Sequence, residues 1–241
     1  MGTRIARSLW ASVFAGSLAL AGAAGAQTVP KAKGIESADY EWNGMHVEKI
    51  DALELVGDAE NGKVAYQACS ACHLPSGSGQ PDGSFPQLAG QHETVLIKQI
   101  ADIRAGRRDT PVMHPFSMKL IDAQQIADVA AYLQALPIPP GNGKGPGNDL
   151  ATGKQLYQRD CVRCHGKQGE GSEVKFHPVL AGQHYEYLLR QIRDIDAGRR
   201  RNAHPQMVKV LQGYTDEKLQ AVVDYMSRLE WPVRAGKDRG R

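Results

Sequence analysis

The chain has 241 residues, 41% of them hydrophobic and 23% charged, and lysine plus arginine exceed aspartate plus glutamate by three. That length suits two compact domains of roughly a hundred residues each. So small a basic excess, without a phosphate-cradling glycine loop or a basic-aromatic stripe, argues against nucleic acid as a partner.

Residues 1–26 have the layout of a cleaved secretory signal peptide. Arg4 and Arg7 precede an apolar run from Leu9 to Gly22, and Ala24 and Ala26 form an A-x-A cleavage site. The run is short for a membrane anchor. Cleavage after Ala26 leaves a nearly neutral chain exported to the periplasm, an oxidising compartment in which unprotected thiols would pair. Residues 27–56 have mixed polarity, no clean period and no second copy. They read as an N-terminal extension, either a partly disordered lead segment or a docking arm carrying Tyr40, Trp42 and Met45.

From residue 57 onward the chain is a tandem repeat. FPQLAGQHETVLIKQIADIRAGRR (85–108) aligns with HPVLAGQHYEYLLRQIRDIDAGRR (177–200), and CSACH (69–73) with CVRCH (161–165), both at an offset of ninety-two residues. The repeat divides the chain into a first domain (57–136), a proline- and glycine-rich linker (137–149), a second domain (150–231) and a basic tail (232–241). Each copy predicts three helices: one leading into the cysteines, one after LAGQH, and one near the end. Ile126, Val129, Ala130 and Leu133 mark the last helix in the first copy, and Leu219, Val222, Val223 and Met226 mark it in the second. No stretch has a strand period, so the fold class is all-α. The long loops 74–87 and 166–178 need something to pack on, and a large apolar cofactor at the centre of each domain would supply it.

All four cysteines fall in the two C-x-x-C-H patterns. Cysteines three apart share one face of a helical turn and can form thioethers to the two vinyl groups of a porphyrin, with the following histidine beneath the iron. Cys69, Cys72 and His73 would hold one haem c; Cys161, Cys164 and His165 would hold a second. A single zinc shared between the pairs leaves both histidines unexplained, and a thioredoxin-like disulfide lacks its strand-to-helix context. For a sixth iron ligand the second copy offers Met207, since Met226 lies on an apolar helix stripe. In the first copy Met113 occupies the corresponding loop, with His114 and Met118 beside it. Counting back from Tyr132 by the second copy's spacing falls on His114, while the text VMHPF favours Met113.

These features resemble class I cytochrome c, and the tandem resembles the dihaem cytochrome c4 family. The two C-x-x-C-H motifs, the LAGQH segments with Pro86 and Pro178 before them, the AGRR turns and the Met113 and Met207 loops carry the resemblance. It implies two tandem cytochrome c domains related by an approximate two-fold axis, with long loops wrapped around covalent haems. It also implies that the Pro86 and Pro178 carbonyls accept the ring N–H of the axial histidines. The implied function is a single-electron shuttle with six-coordinate haems and no catalytic residues. Its partners would be proteins such as terminal oxidases, reductases or a quinol-oxidising complex, met peripherally at the membrane. A haem enzyme such as a dihaem peroxidase or a sulfur- or nitrogen-compound oxidoreductase, and an electron-transfer subunit of a larger oxidoreductase, are the alternatives. Arg107, Arg108, Arg199 and Arg200 could neutralise haem propionates or form solvated turns. His92 and His184, each at a helix start, suggest a local structural role.

Overall fold

The computed structural model describes residues 31–230; residues 1–30, with the expected signal peptide, and 231–241, with the expected basic tail, lie outside the described residues. Among these residues the structure is helical, with one isolated β-bridge between Ser172 and His177. A short helix, α1 (Val47–Glu54), precedes the repeat. The first domain contains α2 (Ala59–Ala65), α3 (Gln67–His73), α4 (Glu93–Arg104), α5 (Met113–Ser117) and α6 (Ala123–Ala135). The second contains α7 (Leu150–Leu156), a π-helical turn (Tyr157–Cys161), α8 (Val162–His165), α9 (Tyr185–Asp196), α10 (Pro205–Leu211) and α11 (Asp216–Met226).

Several helices begin where short polar side chains satisfy the first free N–H groups. Asp58 accepts from the amides of Glu60 and Asn61, Asp122 from Gln125, and Asp149 from Thr152. In each domain the helix leading to the cysteines crosses the last helix at a glycine. A Cβ on Gly62 would lie 1.9 Å from the Asp128 carbonyl oxygen, and one on Gly153 would lie 2.1 Å from that of Ala221. Only hydrogen fits there. Beside each crossing a tyrosine pair packs with ring centroids 5.5 Å apart, Tyr66 on Tyr132 and Tyr157 on Tyr225.

The two domains meet through reciprocal side-chain grips on main-chain atoms. Gln183 accepts from the Gln87 amide at 3.0 Å and donates to the Gln87 carbonyl at 2.9 Å. Gln91 treats Val179 in the same way, at 2.8 and 3.1 Å. The His184 ring donates to the Ser78 carbonyl at 2.7 Å, and the His92 ring to that of Glu170 at 2.8 Å. Each pair of bonds is related to its counterpart by the ninety-two-residue repeat, as an approximate two-fold axis requires. His92 and His184 are therefore structural, but they act between domains rather than locally. The linker is packed as well: Ile138 lies against both Gly90 and Gly182, and Asn142 donates to the Gln183 and Ser227 carbonyls at 2.8 Å.

Residues 31–56 are ordered against this frame, unlike the disordered lead segment that the sequence allows. Helix α1 packs on α4 and α6, and Ala52 joins the core of the first domain. Its amphipathicity is inverted, with Val47 74% exposed and Lys49 fully buried, which is why the sequence shows no apolar face there.

Replacing Gly153 with alanine forces α7 away from the α11 backbone, and thermal unfolding followed by circular dichroism should show a loss of about 1–3 kcal/mol. An unchanged melting temperature would contradict the close crossing.

Candidate haem-binding sites

Each C-x-x-C-H histidine sits at the end of a short helix, with the chain turning back beneath it. The His73 Nδ1–H donates to the Pro86 carbonyl at 3.0 Å, and the His165 Nδ1–H donates to that of Pro178 at 3.1 Å. This fixes the ring plane and leaves Nε2 of each ring as the available lone pair. The His73 Nε2 is buried without a hydrogen-bond partner. Burial lowers the pKa of His73 and pushes that of His165 down to about 4, so both rings are neutral and able to act as metal ligands.

The turn after each histidine is the same despite the different residues. Leu74 adopts φ 62° and ψ 156°, and Gly166 adopts φ 79° and ψ 170°. The turns are locked from behind by Tyr66, whose hydroxyl donates to the Leu74 carbonyl at 2.9 Å, and by Tyr157, which donates to that of Gly166 at 2.8 Å. Leucine at 74 is strained there, because this region of backbone space is essentially reserved for glycine.

All four cysteines, both histidines, Met113 and Met207 line one cavity of about 1200 Å³, larger than an ordinary small-molecule pocket of about 300–1,000 Å³. Its walls include Val95, Leu96, Ile100, Leu188, Ile192 and Val223. Met118 is 50% exposed, and the wall includes neither Met118 nor His114. The His114 ring is partly buried, with its Nε2 unpartnered. Among the described residues the four cysteines form no disulfide with one another. Among the described residues no group of three or more His, Cys, Asp or Glu side chains gathers into a metal cage, which disfavours a shared zinc.

Between the two clamps, on the same wall, Arg108 and Arg200 share two glutamines. Arg108 donates to the Oε1 atoms of Gln99 (2.9 Å) and Gln191 (3.0 Å), and Arg200 donates to the same two atoms at 3.3 and 3.1 Å. Arg108 also donates to the Tyr187 hydroxyl. Their hydrogen bonds run to neutral groups, and burial beside Arg108 pushes the Arg200 guanidinium down to about 10. Arg199 instead pairs with Asp194 at the surface. The sequence allows either a propionate-facing or a solvated role for these arginines; a one-residue step within AGRR separates an inner guanidinium from an outer one.

The cytochrome c profile matches residues 59–137 and again 150–230. The chain belongs to the cytochrome c family. It is similar to the thiosulfate dehydrogenase electron acceptor of Stutzerimonas stutzeri, at 34% identity over 176 residues that cover 68% of this chain and 80% of that one. It is also similar to cytochrome c4 of Pseudomonas aeruginosa, at 35% identity over 154 residues covering 61% and 75% of the two chains. The crystal structure of reduced recombinant cytochrome c4 from Pseudomonas stutzeri matches with a TM-score of 0.65 and 29% identity, over 73% of this chain and all of that one. This cytochrome is thus a dihaem electron carrier of the cytochrome c4 type, with two covalent haem c groups.

The residues present fit those groups. Each neutral histidine turns Nε2 away from its proline carbonyl, and the lining is largely apolar. The two guanidiniums on the wall, without carboxylate partners, are the environment that acidic propionates would relieve.

Replacing Leu74 with glycine relieves the strained turn of the cytochrome, and denaturant titration should show a gain of about 1 kcal/mol. A loss of stability would show that the Leu74 side chain contributes more than its backbone costs.

Proposed function

We propose that this cytochrome is a periplasmic carrier that passes single electrons between respiratory redox proteins and performs no substrate chemistry. Cys69, Cys72, His73 and Met113 would hold one haem, and Cys161, Cys164, His165 and Met207 would hold the other. The haem groups, when bound, supply reversible one-electron chemistry. The chain supplies the rest. The Pro86 and Pro178 carbonyls orient the imidazoles, burial keeps both rings neutral, the apolar walls exclude water, and thioether ligation would keep the potential high. The observation that carries this reading is the paired geometry, a histidine locked through Nδ1 with a methionine on the same cavity wall, present twice.

Export to the periplasm rests on the layout of residues 1–26. Among the described residues no helix is long and apolar enough to cross a membrane, which suits a peripheral encounter with terminal oxidases, reductases or a quinol-oxidising complex. The relative named as a thiosulfate dehydrogenase electron acceptor supports a second reading of the partners, in which a dehydrogenase of a sulfur compound is the donor.

The reduced protein should show low-spin haem c spectra and bind carbon monoxide poorly; ready binding at one haem would mark an open iron and an enzymatic site. Met207→His should lower one of two resolved reduction potentials and leave the other in place. If neither potential moved, Met207 would not be a ligand.

A further inference from the structure

Residues 32–49 lie outside both profile matches and outside the repeat, yet they bridge the two haem domains. The Ala32 amide donates to the Gly106 carbonyl of the first domain at 3.1 Å, and the Ile35 amide to the Arg201 carbonyl of the second at 2.8 Å. Arg201, itself buried, returns bonds to the Ala32 carbonyl and Glu36. The Tyr40 hydroxyl donates to the Ala203 carbonyl at 3.1 Å. The Trp42 ring packs at a tilt on that of His204 with centroids 4.2 Å apart, and the Lys98 ammonium lies 5.3 Å from the centre of the Trp42 ring. Trp42 is also part of the wall of the haem cavity.

At the end of this strap Lys49 is fully buried. Its ammonium lies 3.8 Å from Asp102 Oδ1 and donates to Asn43 Oδ1 at 3.3 Å. Asp102 also pairs with Lys98 and accepts from Asn202 of the second domain at 2.8 Å. The repeat-related Asp194 is instead paired with Arg199 at the surface, and Arg190, in the place of Lys98, donates to the Gly83 carbonyl. The strap therefore breaks the two-fold symmetry at this point. Of its four carboxylates, Glu36 and Glu48 stay at the rim, paired with Arg201 and Arg104, Asp39 pairs with Lys33 at the surface, and Glu41 is exposed. The charge it carries inward is positive. Two ammonium groups share one carboxylate here, and Asn202 and Gln99 connect the cluster to the Arg108 and Arg200 pair on the cavity wall.

Resting on the electron-carrier reading above, we propose that residues 32–49 are a redox-tuning clasp, which sets the ammonium of Lys49 into the domain junction and thereby raises the reduction potentials of both haems. A cation buried in a medium of low polarizability acts over a longer range than one at the surface and favours the form holding one more electron. Lys49 is a positioning residue and touches no reacting atom.

The test is a spectroelectrochemical titration of the full-length holoprotein and its variants. Lys49→Met should shift both haem transitions to lower potential, changing the reduced-to-oxidised ratio at a fixed ambient potential on the order of tenfold. Lys49→Arg should leave them near the parent values, and Asp102→Asn, which removes the negative charge, should move both the opposite way. The proposal is overturned if Lys49→Met moves neither transition, or if Lys49→Arg moves them as far as Lys49→Met does. Should Lys49→Met not fold, Asp102→Asn decides alone, and a downward or absent shift overturns the proposal. A parent protein without haem absorbance would refute the electron-carrier reading itself.

Discussion

The grip of each domain on the other's main chain is the constraint from which the rest of the structure follows. A domain of this size that leaves its centre open for a cofactor has too little core of its own. Gln91 and Gln183 offset this by binding the backbone of Val179 and Gln87 across the interface. Pro178 directly precedes Val179, and Pro86 directly precedes Gln87. The amide that each glutamine binds therefore belongs to the same peptide group as the carbonyl that accepts from a C-x-x-C-H histidine, His165 at Pro178 and His73 at Pro86. A peptide group bonded at both ends is steadied and polarised in one sense. Docking the domains and orienting the two histidines are parts of a single hydrogen-bond network.

Much of this was legible in the sequence because both copies obey the same local demands. The C-x-x-C-H spacing, the apolar stripes around Val129 and Val222, and the cap Asp122 are short-range signals, and the structure has helices at each. The residues on the cavity wall were legible for the same reason, Met113 less clearly, since His114 and Met118 stand in the same loop. The inter-domain role of His92 and His184 was hidden because their partners are main-chain carbonyls of Glu170 and Ser78, which leave no mark in a sequence. Helix α1 was hidden because Val47 faces outward and Lys49 inward. Leu74 gave no sign that it would take the backbone shape of Gly166.

The repeat would make the two haem environments equivalent; the N-terminal strap makes them differ. Asp102 is buried beneath Lys49 and Lys98, while Asp194 is only half-buried and pairs with the exposed Arg199. Trp42 covers His204 on the second domain, and the strap has no second copy to do the same on the first. A carrier with two distinguishable sites can be given two potentials without changing any ligand, because buried charge and access to water are independent means of tuning an iron.

Two haem clamps that consume every thiol in the chain are the centre of this picture. Intact-mass measurement of the purified protein after treatment with a thiol-alkylating reagent tests it most directly. The predicted result is a chain that carries two haem masses and takes up no alkyl group. A chain with one haem or none, and with alkylated cysteines, would contradict it.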